Sequence, residues 1–359
     1  MRDALFRLHR RVINPARRGA GLTCVRAALL AASWPYGLAV RARNALYSRG
    51  WRRAYDPPVP VVSVGNITAG GTGKTPMVAW LARLMLIRNR RPAILSRGYG
   101  RHERLSVDDE NDLLSHLAQG VPVVVNPDRA EGAREAVRRH GADALILDDG
   151  FQHRGISREL DIVLIDALWP FGGGCLLPRG LLREPLSGLS RADVLVITRS
   201  DLVSPERVER ISERLKELCP GAPVALCRNA LEGLRPIPVP GTRQPADSLR
   251  EGNWGWFCGV GNPEAFDLTL RQAGCAPVFG RVFSDHTDYG AAKVNELMRA
   301  AEEAGCDALV TTEKDAVKLE AAMAGEPPVP LFALQVTMEL AEPSPALTRA
   351  IMNALGKSP

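Results

Sequence analysis

A glycine-rich turn near residue 70 is the part of the chain whose residue types most directly suggest chemistry. The apolar run Pro60–Gly65 precedes it and a helix-like segment follows. Glycines let a backbone curl until successive N–H groups point at phosphate oxygens, and the start of the next helix offers its positive end to the same anion. The turn consists of Thr68, Ala69, Gly70, Gly71, Thr72, Gly73, Lys74 and Thr75.

The lysine and threonine that close this turn match the Walker A pattern, which binds nucleotide phosphates. In such loops the lysine reaches the β- and γ-phosphates, and the threonine hydroxyl binds Mg²⁺. The pattern usually begins with glycine, and Thr68 stands in that place. We expect this turn to bind ATP with Mg²⁺ through Lys74 and Thr75.

Acidic residues that suit a metal ion follow a second apolar run. Asp148 and Asp149 come directly after Ala144–Leu147. Carboxylates at the carboxyl end of a parallel strand lie where such sheets bind ligands, and an acid in this place organises Mg²⁺ in P-loop proteins. We therefore expect both carboxylates to lie beside the phosphate loop.

Transfer of a phosphoryl group to a hydroxyl also needs a proton acceptor and cations that neutralise developing charge. The candidate acceptors are Asp109, Glu110 and His286, and the candidate cations are Arg97, Arg179 and Arg183. Their spacing alone is more typical of surface residues. The residues taken one by one leave both phosphoryl transfer and hydrolysis open.

The elements that must position these side chains are short apolar runs that alternate with helix-like segments. Continuous Val, Ile and Leu runs separated by helices are typical of a mostly parallel sheet covered on both faces. The pattern predicts an α/β, doubly wound, P-loop NTPase-like domain. The expected strands are Pro60–Gly65, Ala93–Ser96, Val121–Val125, Ala144–Leu147, Ile162–Ile165, Val194–Thr198 and Val224–Cys227.

A chain of 359 residues is long enough for more than one domain. Residues 229–252 are rich in Pro, Gly, Arg and polar residues and have the composition of a connection. A second α/β pattern follows without a phosphate loop of its own. We expect a P-loop domain over residues 54–240 and a smaller α/β domain over residues 241–359.

The first 53 residues form a strongly basic arm. They contain twelve arginines and one acid, Asp3, so the arm carries +11 while the whole chain carries +6. A basic arm of this kind usually binds an anionic partner, such as an acidic membrane surface or a nucleic acid. The arm lacks the basic surface with interleaved aromatics that nucleic-acid binding favours, so we expect no nucleic-acid partner.

The apolar part of the arm, Ala27–Val40, is fourteen residues long and contains Pro35. A spanning helix needs roughly 20 apolar residues, so this segment predicts an amphipathic element in the headgroup region, with Trp34 and Tyr36 at the interface. The alternative is a basic helix that packs on its own protein. Seven scattered cysteines without a C-x-x-C spacing fit the reducing cytosol.

Taken together, the motifs resemble the lipid A 4′-kinase (tetraacyldisaccharide 4′-kinase) family. The resemblance runs through most of the chain, and its motifs are specific because they occur in this order. They are Val62–Asn66, Gly70–Pro76, Ser96–Gly100, Asp148–His153, Leu181–Pro185, Asp285–Tyr289 and Thr311–Lys318.

This resemblance implies transfer of the γ-phosphate of ATP to the 4′-hydroxyl of a membrane-embedded acylated glucosamine disaccharide 1-phosphate. It also implies Mg²⁺, peripheral attachment to the cytoplasmic face of the bacterial inner membrane through the arm, and two α/β/α domains. A two-stranded hinge is expected near Leu231–Val239 and Leu331–Met338. The oligomeric state stays open.

The resemblance also assigns residues to the phosphate and metal sites. Lys74 and Thr75 match the phosphate-loop pair of the family. Asp148 and Asp149 match its acid pair, and Glu184 matches a metal-associated glutamate.

The remaining catalytic assignments rest on the same resemblance. Asp109 matches the proposed general base and His286 matches its partner, and a carboxylate bonded to an imidazole is a suitable acceptor for a sugar hydroxyl proton. Arg183 neighbours the metal-associated glutamate and is assigned to catalysis. Gln152 and His153 are expected to line the nucleotide site.

Two departures from the family pattern bear on these assignments. Asp108 precedes Asp109 where the family usually has glycine. This extra carboxylate is expected either to disfavour ionisation of Asp109 or to compete with it for a metal. Thr198–Asp201 carries Arg199 where relatives often have lysine, and this segment is expected on the base side of the nucleotide.

The same segment faintly resembles the guanine-reading signature of P-loop switches. A GTPase or ATPase switch that acts through a protein partner therefore stays as the alternative function. A non-catalytic adaptor that uses the basic arm is a third.

Overall fold

The structure is a computed structural model. It describes residues 12–13, 19–98, 113–115, 117–118, 120–238, 241–285, 287–323, 325, 327–342 and 344–356. The predicted general base Asp109 and its predicted partner His286 lie outside these ranges, as do Asp108 and Glu110.

Helices and strands alternate along most of the described chain. The strands are β1 (Val61–Asn66), β2 (Pro92–Ser96), β3 (Val123–Val125), β4 (Ala144–Asp148), β5 (Leu160–Asp166), β6 (Val194–Thr198), β7 (Val224–Ile237), β8 (Trp254–Cys258), β9 (Phe279–Val282), β10 (Ala308–Thr312) and β11 (Leu331–Leu340). The helices are α1 (Ala20–Ser48), α2 (Lys74–Ile87), α3 (Arg129–His140), α4 (Pro205–Leu218), α5 (Pro263–Gln272), α6 (Ala291–Glu303), α7 (Glu313–Ala322) and α8 (Pro345–Gly356).

The chain divides into two compact units. The first contains the described residues up to 98, those from 114 to 228 and those from 340 onward, and the second is built mainly from 229–339. This division differs from the expected domains of 54–240 and 241–359, because the chain returns to the first unit at its end. There the amide of Ala341 donates to the carbonyl of Leu226 at 2.8 Å, and α8 follows.

The first unit is a parallel sheet in the order β3-β2-β4-β1-β5-β6-β7. Val62 of β1 lies beside Ile146 of β4 on one side and Leu160 of β5 on the other. Every residue of β1, β5 and β6 is buried, as expected for strands covered on both faces by helices. The predicted α/β, doubly wound fold is confirmed for this unit.

The central strands β4, β1 and β5 carry their carboxyl ends to one edge of this sheet. The order of the strands in the sheet changes direction at β1. Strands β2, β3 and β4 lie on one side of it, and β5 to β7 lie on the other. Ligand sites of doubly wound sheets form at such a reversal, outside the carboxyl ends of the strands. The phosphate loop and the acid pair both begin at this edge.

The second unit contains the later part of β7 together with β8 to β11, in the order β7-β11-β10-β8-β9. Strand β8 pairs in parallel with β9 and β10, and β10 pairs in parallel with β11. Its core includes an aromatic cluster in which Phe257, Phe283 and Tyr289 meet edge to face. β7 and β11 lie where strands were expected near residues 231–239 and 331–338.

Helix α1 runs through Pro35, which lies inside its apolar part. A proline inside a helix removes one hydrogen bond, and a long helix that packs on its neighbours tolerates that loss. None of the described helices has the length and apolar character that crossing a lipid bilayer would require.

Candidate active site

The phosphate loop joins β1 to α2. Gly70 and Gly73 have φ values of 113° and 88°, in the left-handed region that glycine adopts without strain. Gly73 is the N-cap of α2, so Lys74 and Thr75 lie in the first helical turn. The expected placement of a glycine turn between a strand and a helix is therefore observed.

Side chains from two strands fix the shape of this loop. Asn66, at the end of β1, donates through Nδ2 to the carbonyl of Thr68 at 2.7 Å and to Oγ1 of Thr72 at 2.9 Å. Thr198, at the end of β6, donates through its hydroxyl to the carbonyl of Thr72 at 2.9 Å. Buried hydrogen bonds of this kind hold a loop in one conformation.

Thr68, the departure from the usual glycine, is buried and forms an antiparallel bridge with Leu182. The amide of Ala69 donates to the carbonyl of Leu181 at 2.7 Å, and the amide of Arg183 donates to that of Ile67 at 2.8 Å. A β-branched residue suits this paired, extended backbone. The pairing also brings Arg183 next to the phosphate loop.

Asp149 lies at the centre of a cluster of charges beside the loop. Lys74 Nζ is 3.6 Å from Asp149 Oδ1, and Arg183 Nη1 donates to both Asp149 oxygens, at 2.8 and 2.7 Å. Asp149 has a φ of 51°, which turns its side chain sharply after β4. Burial alone raises the pKa of Asp149, but Lys74 and Arg183 outweigh it, so the pKa lies below its ordinary value.

The Asp148–His153 turn packs very closely on β1. A Cβ on Gly65 would lie 2.6 Å from the Cβ and the amide nitrogen of Phe151, so only glycine fits there. Arg129 of α3 donates to the backbone carbonyl of Asp148 at 2.9 Å. These contacts fix the acid pair relative to the phosphate loop.

Glu184 is fully buried at the edge of this cluster. Arg191 Nη2 donates to both of its carboxylate oxygens, at 2.9 and 2.8 Å. Gln152 Nε2 donates to Oε1 at 3.0 Å and Asn44 Nδ2 to Oε2 at 3.0 Å. A carboxylate has about four acceptor sites. Coordination of a metal by Glu184 therefore requires one of these bonds to break.

Gln152 joins Glu184 to the phosphate loop. Its Nε2 also donates to the carbonyl of Asn66 at 2.8 Å, and its Oε1 accepts from Arg183 Nη1 at 3.4 Å. His153 follows, and burial together with Arg129, Arg158 and Arg97 lowers its pKa to about 4. The imidazole is therefore neutral near pH 7.

The structure thus brings together most of the residues predicted for the site. Lys74, Asp149, Arg183, Gln152 and Glu184 are connected by direct contacts. Thr75 lies in the first turn of α2, and Asp148 is the last residue of β4. Arg97 is exposed at the end of β2. Arg199 is paired with Asp166 at 2.5 Å.

Several residues of the site belong to no sequence motif that would indicate a role there. Asn44 and Tyr36 come from α1, well before the phosphate loop, and Arg191 lies in a short 3-10 helix at Leu186–Arg191. The guanidinium of Arg191 also stacks on the ring of Phe151 at 4.5 Å. Only their proximity to Glu184 in the fold identifies them.

Comparison with known proteins places this site in a family. The family model described as tetraacyldisaccharide-1-P 4′-kinase matches residues 25–356. The chain belongs to this family. It is 40% identical to the tetraacyldisaccharide 4′-kinase of Anaeromyxobacter sp. (strain K) over 351 residues, which cover 93% of this chain and 92% of the relative.

Other members of the family give the same match. The tetraacyldisaccharide 4′-kinase of Geobacter metallireducens is 40% identical, with 90% of this chain and 97% of the relative covered. The crystal structure of LpxK from Aquifex aeolicus in complex with ATP superposes with a TM-score of 0.70 at 31% identity, over 92% of this chain and 99% of that one. The family resemblance inferred from the motifs is confirmed.

Proposed function

We propose that this chain is an ATP-dependent kinase that phosphorylates the 4′-hydroxyl of a tetraacyldisaccharide 1-phosphate in lipid A synthesis. The observation that carries the proposal is the contact of Lys74 and Arg183 with Asp149 beside the phosphate loop, in a chain of the tetraacyldisaccharide 4′-kinase family. A relative of this family has been solved with ATP. Family and site together favour a kinase over a nucleotide switch.

The charges of the site suit phosphoryl transfer. The α2 N-terminus and the loop amides bind the phosphates, while Lys74 and Arg183 neutralise the negative charge that develops on the transferred group. Asp149 stays ionised because of these two cations, and it holds both of them at the loop. Positioning and charge neutralisation are the main contributions that a protein makes to this reaction.

The donor set beside the loop fits Mg²⁺. We propose that the hydroxyl of Thr75 and the carboxylates of Asp148 and Asp149 hold the ion. Mg²⁺ is usually bound by one or two carboxylates together with substrate phosphates and water. A Mg²⁺ ion held by these residues would supply positive charge that offsets the charge of the nucleotide phosphates.

The family resemblance implies that Glu184 is a further metal ligand, and its four hydrogen bonds indicate a second role, in positioning its partners. In the described geometry it joins Gln152, Arg191 and Asn44 around one buried charge. Asp109 and His286, which lie outside the described residues, stay proposed as the general base and its partner on the family resemblance.

We propose that the enzyme attaches to the cytoplasmic face of the inner membrane through α1. Leu30, Trp34 and Leu38 are spaced four residues apart, so they share one face of the helix. They are 46%, 77% and 68% exposed. An apolar face with nearby arginines suits an anionic lipid surface, where aromatic rings settle at the headgroup level.

The membrane proposal is tested by vesicle cosedimentation of the double variant Trp34→Ser/Leu38→Ser. We expect binding to vesicles with anionic lipid to fall at least tenfold. Ile87→Ser is the matched control, because Ile87 is an equally exposed apolar residue, 75% exposed, at the end of α2. Equal losses in the two variants would contradict a specific role of α1.

The kinase proposal is tested with [γ-³²P]ATP, Mg²⁺ and a tetraacyldisaccharide 1-phosphate acceptor. We expect label in the lipid, and Lys74→Ala should lower turnover by about 100-fold or more without change in the melting temperature. Arg139→Ala, at an exposed ion pair on α3, is the control. Label released only to water, with the lipid unlabelled, would favour a nucleotide switch.

A further inference from the structure

The inner face of α1 lies on the segment that leads to Arg183 and Glu184. Ser33 Oγ donates to the carbonyl of Leu176 at 3.0 Å and accepts from the amide of Arg179 at 3.2 Å. One turn further, a Cβ on Gly37 would lie 2.7 Å from Leu176 Cδ1, so the helix backbone approaches this segment closely. The helix is therefore packed against the chain just before the site.

Two further contacts from α1 reach the site itself. The hydroxyl of Tyr36 donates to the backbone carbonyl of Arg183 at 2.7 Å, and Asn44 Nδ2 donates to Glu184 Oε2 at 3.0 Å. Burial is the largest cause of the raised pKa of Tyr36, so its hydroxyl keeps the proton that it donates. Arg154 Nη1 donates to the carbonyl of Asn44 at 2.8 Å and holds this end of α1 in place.

These contacts continue without a gap to the phosphate loop. Glu184 accepts from Gln152, which donates to the carbonyl of Asn66. Arg183 binds Asp149, which is paired with Lys74. A shift of α1 would therefore change the placement of the cations beside the loop, and a displacement of about 1 Å at a catalytic group can cost about 100-fold in rate.

We infer that α1 is a positioning element of the phosphate site, in which Tyr36 holds the backbone of Arg183 and Asn44 holds the carboxylate of Glu184. One face of α1 exposes Leu30, Trp34 and Leu38. A second face contacts the site and sets its geometry. This inference rests on the proposed kinase function. It assigns α1 a role in turnover that is separate from attachment to lipid.

The inference is tested by Tyr36→Phe and Asn44→Leu. The first removes one hydroxyl oxygen, and the second removes the amide donor while it keeps the side-chain volume. Both are assayed with a detergent-dispersed acceptor, so that vesicle binding does not limit the rate. We expect kcat to fall about 10- to 100-fold for Asn44→Leu, which is typical of residues that orient the side chains of a site without touching the substrate. We expect a smaller fall for Tyr36→Phe. The KM for ATP should stay within about threefold. Because a loss of folded protein also lowers the apparent kcat without changing KM, the folded fraction of each variant is measured by circular dichroism and kcat is expressed per folded molecule.

Tyr47→Phe is the matched control. It removes a hydroxyl from the same helix, where the ring stacks with the guanidinium of Arg154, and it should keep the wild-type kcat. Asn44→Leu should keep the vesicle binding that Trp34→Ser/Leu38→Ser loses.

The outcomes separate the inference from the proposed function. If the wild-type protein labels the lipid and both Tyr36→Phe and Asn44→Leu keep kcat within twofold, the positioning role of α1 is overturned. Should Asn44→Leu fail to fold, Tyr36→Phe alone decides, because the loss of one oxygen leaves the packing intact. If the wild-type protein itself leaves the lipid unlabelled, the proposed function fails instead.

Discussion

Asp149 in the first unit and Asp315 in the second are aspartates that follow a parallel strand of an α/β sheet; Asp149 is partly buried and Asp315 fully buried. Asp149 comes directly after β4, and Asp315 lies in the first turn of α7, after β10. In sequence the two look alike, since each is an acid after an apolar run. Their partners are different.

The partners of Asp149 are cations, whereas those that bond to Asp315 are neutral. Asp315 accepts from the hydroxyl of Tyr289 at 2.9 Å, from the amide of Gly259 at 3.0 Å and from the hydroxyl of Thr312 at 2.7 Å. Burial raises the pKa of Asp315 above its ordinary value, despite these bonds and the charge of Lys318. The pKa of Asp149 is lowered.

The comparison shows that the end of a strand provides a place for an acid, and that the surrounding charges decide what the acid does. With two cations, Asp149 stays ionised and organises a site for phosphates. With neutral donors, Asp315 forms hydrogen bonds to Gly259 after β8, to Thr312 at the end of β10 and to Tyr289. It accordingly has the features of a structural residue.

The largest expected difference is in catalysis. Asp149→Asn removes the charge that holds Lys74 and Arg183, so kcat/KM should fall by about 100-fold or more. Asp315→Asn should stay within about threefold of wild type, because its amide oxygen can accept from Gly259 and Thr312 while the hydroxyl of Tyr289 accepts from its NH₂. The measurement is steady-state transfer of ³²P to the lipid acceptor, and similar losses in the two variants would contradict the comparison.

The next effect is on stability. Asp315→Ala leaves buried donors without an acceptor, and we expect the free energy of unfolding to fall by about 2–4 kcal/mol. Asp315→Asn should cost about 1 kcal/mol, because the three bonds can be kept in altered form. Urea unfolding followed by fluorescence and by circular dichroism measures both. A loss of equal size in the two variants would show that charge, and not hydrogen bonding, is what Asp315 contributes.

The smallest effect concerns His153, which also lies near cations, although not those that contact Asp149. Burial, followed by Arg129, Arg158 and Arg97, lowers its pKa from 6.5 to about 4. As the pH falls below 6.5, the unfolded chain takes up a proton that the folded protein does not. The stability due to neutral His153 is therefore fully present above pH 6.5 and is lost as the pH falls toward 4.

This dependence is measured as the melting temperature of the wild type and of His153→Gln between pH 7 and pH 4.5. We expect the wild type to lose more stability than the variant across this range. The Asp149 ion pairs should not add to the slope near pH 6, because the pKa of Asp149 is below its ordinary value. Parallel curves for the two proteins would show that His153 is protonated in the folded state as easily as in the unfolded state.

Much of the fold could be predicted from the sequence, because the signals that specify it are local. Each of the expected apolar runs of the first unit overlaps an observed strand, although Val121–Val125 is shortened to Val123–Val125. The end of the chain was placed in the second domain, whereas α8 lies in the first unit. The apolar pattern of a helix predicts that one face is buried, but it does not indicate which of two sheets that face packs against.

The sequence alone determined the phosphate loop, because the backbone shape of Gly70 and Gly73 and the chemistry of Lys74 and Thr75 are properties of adjacent residues. It also determined the position of Asp148 and Asp149 after a buried strand. Only the tertiary structure decided that Asn44, Gln152 and Arg191 converge on Glu184. Hydrogen bonds and ion pairs depend on distance in space, and residues 140 apart in the chain come within 3.0 Å only after the sheet and α1 have packed.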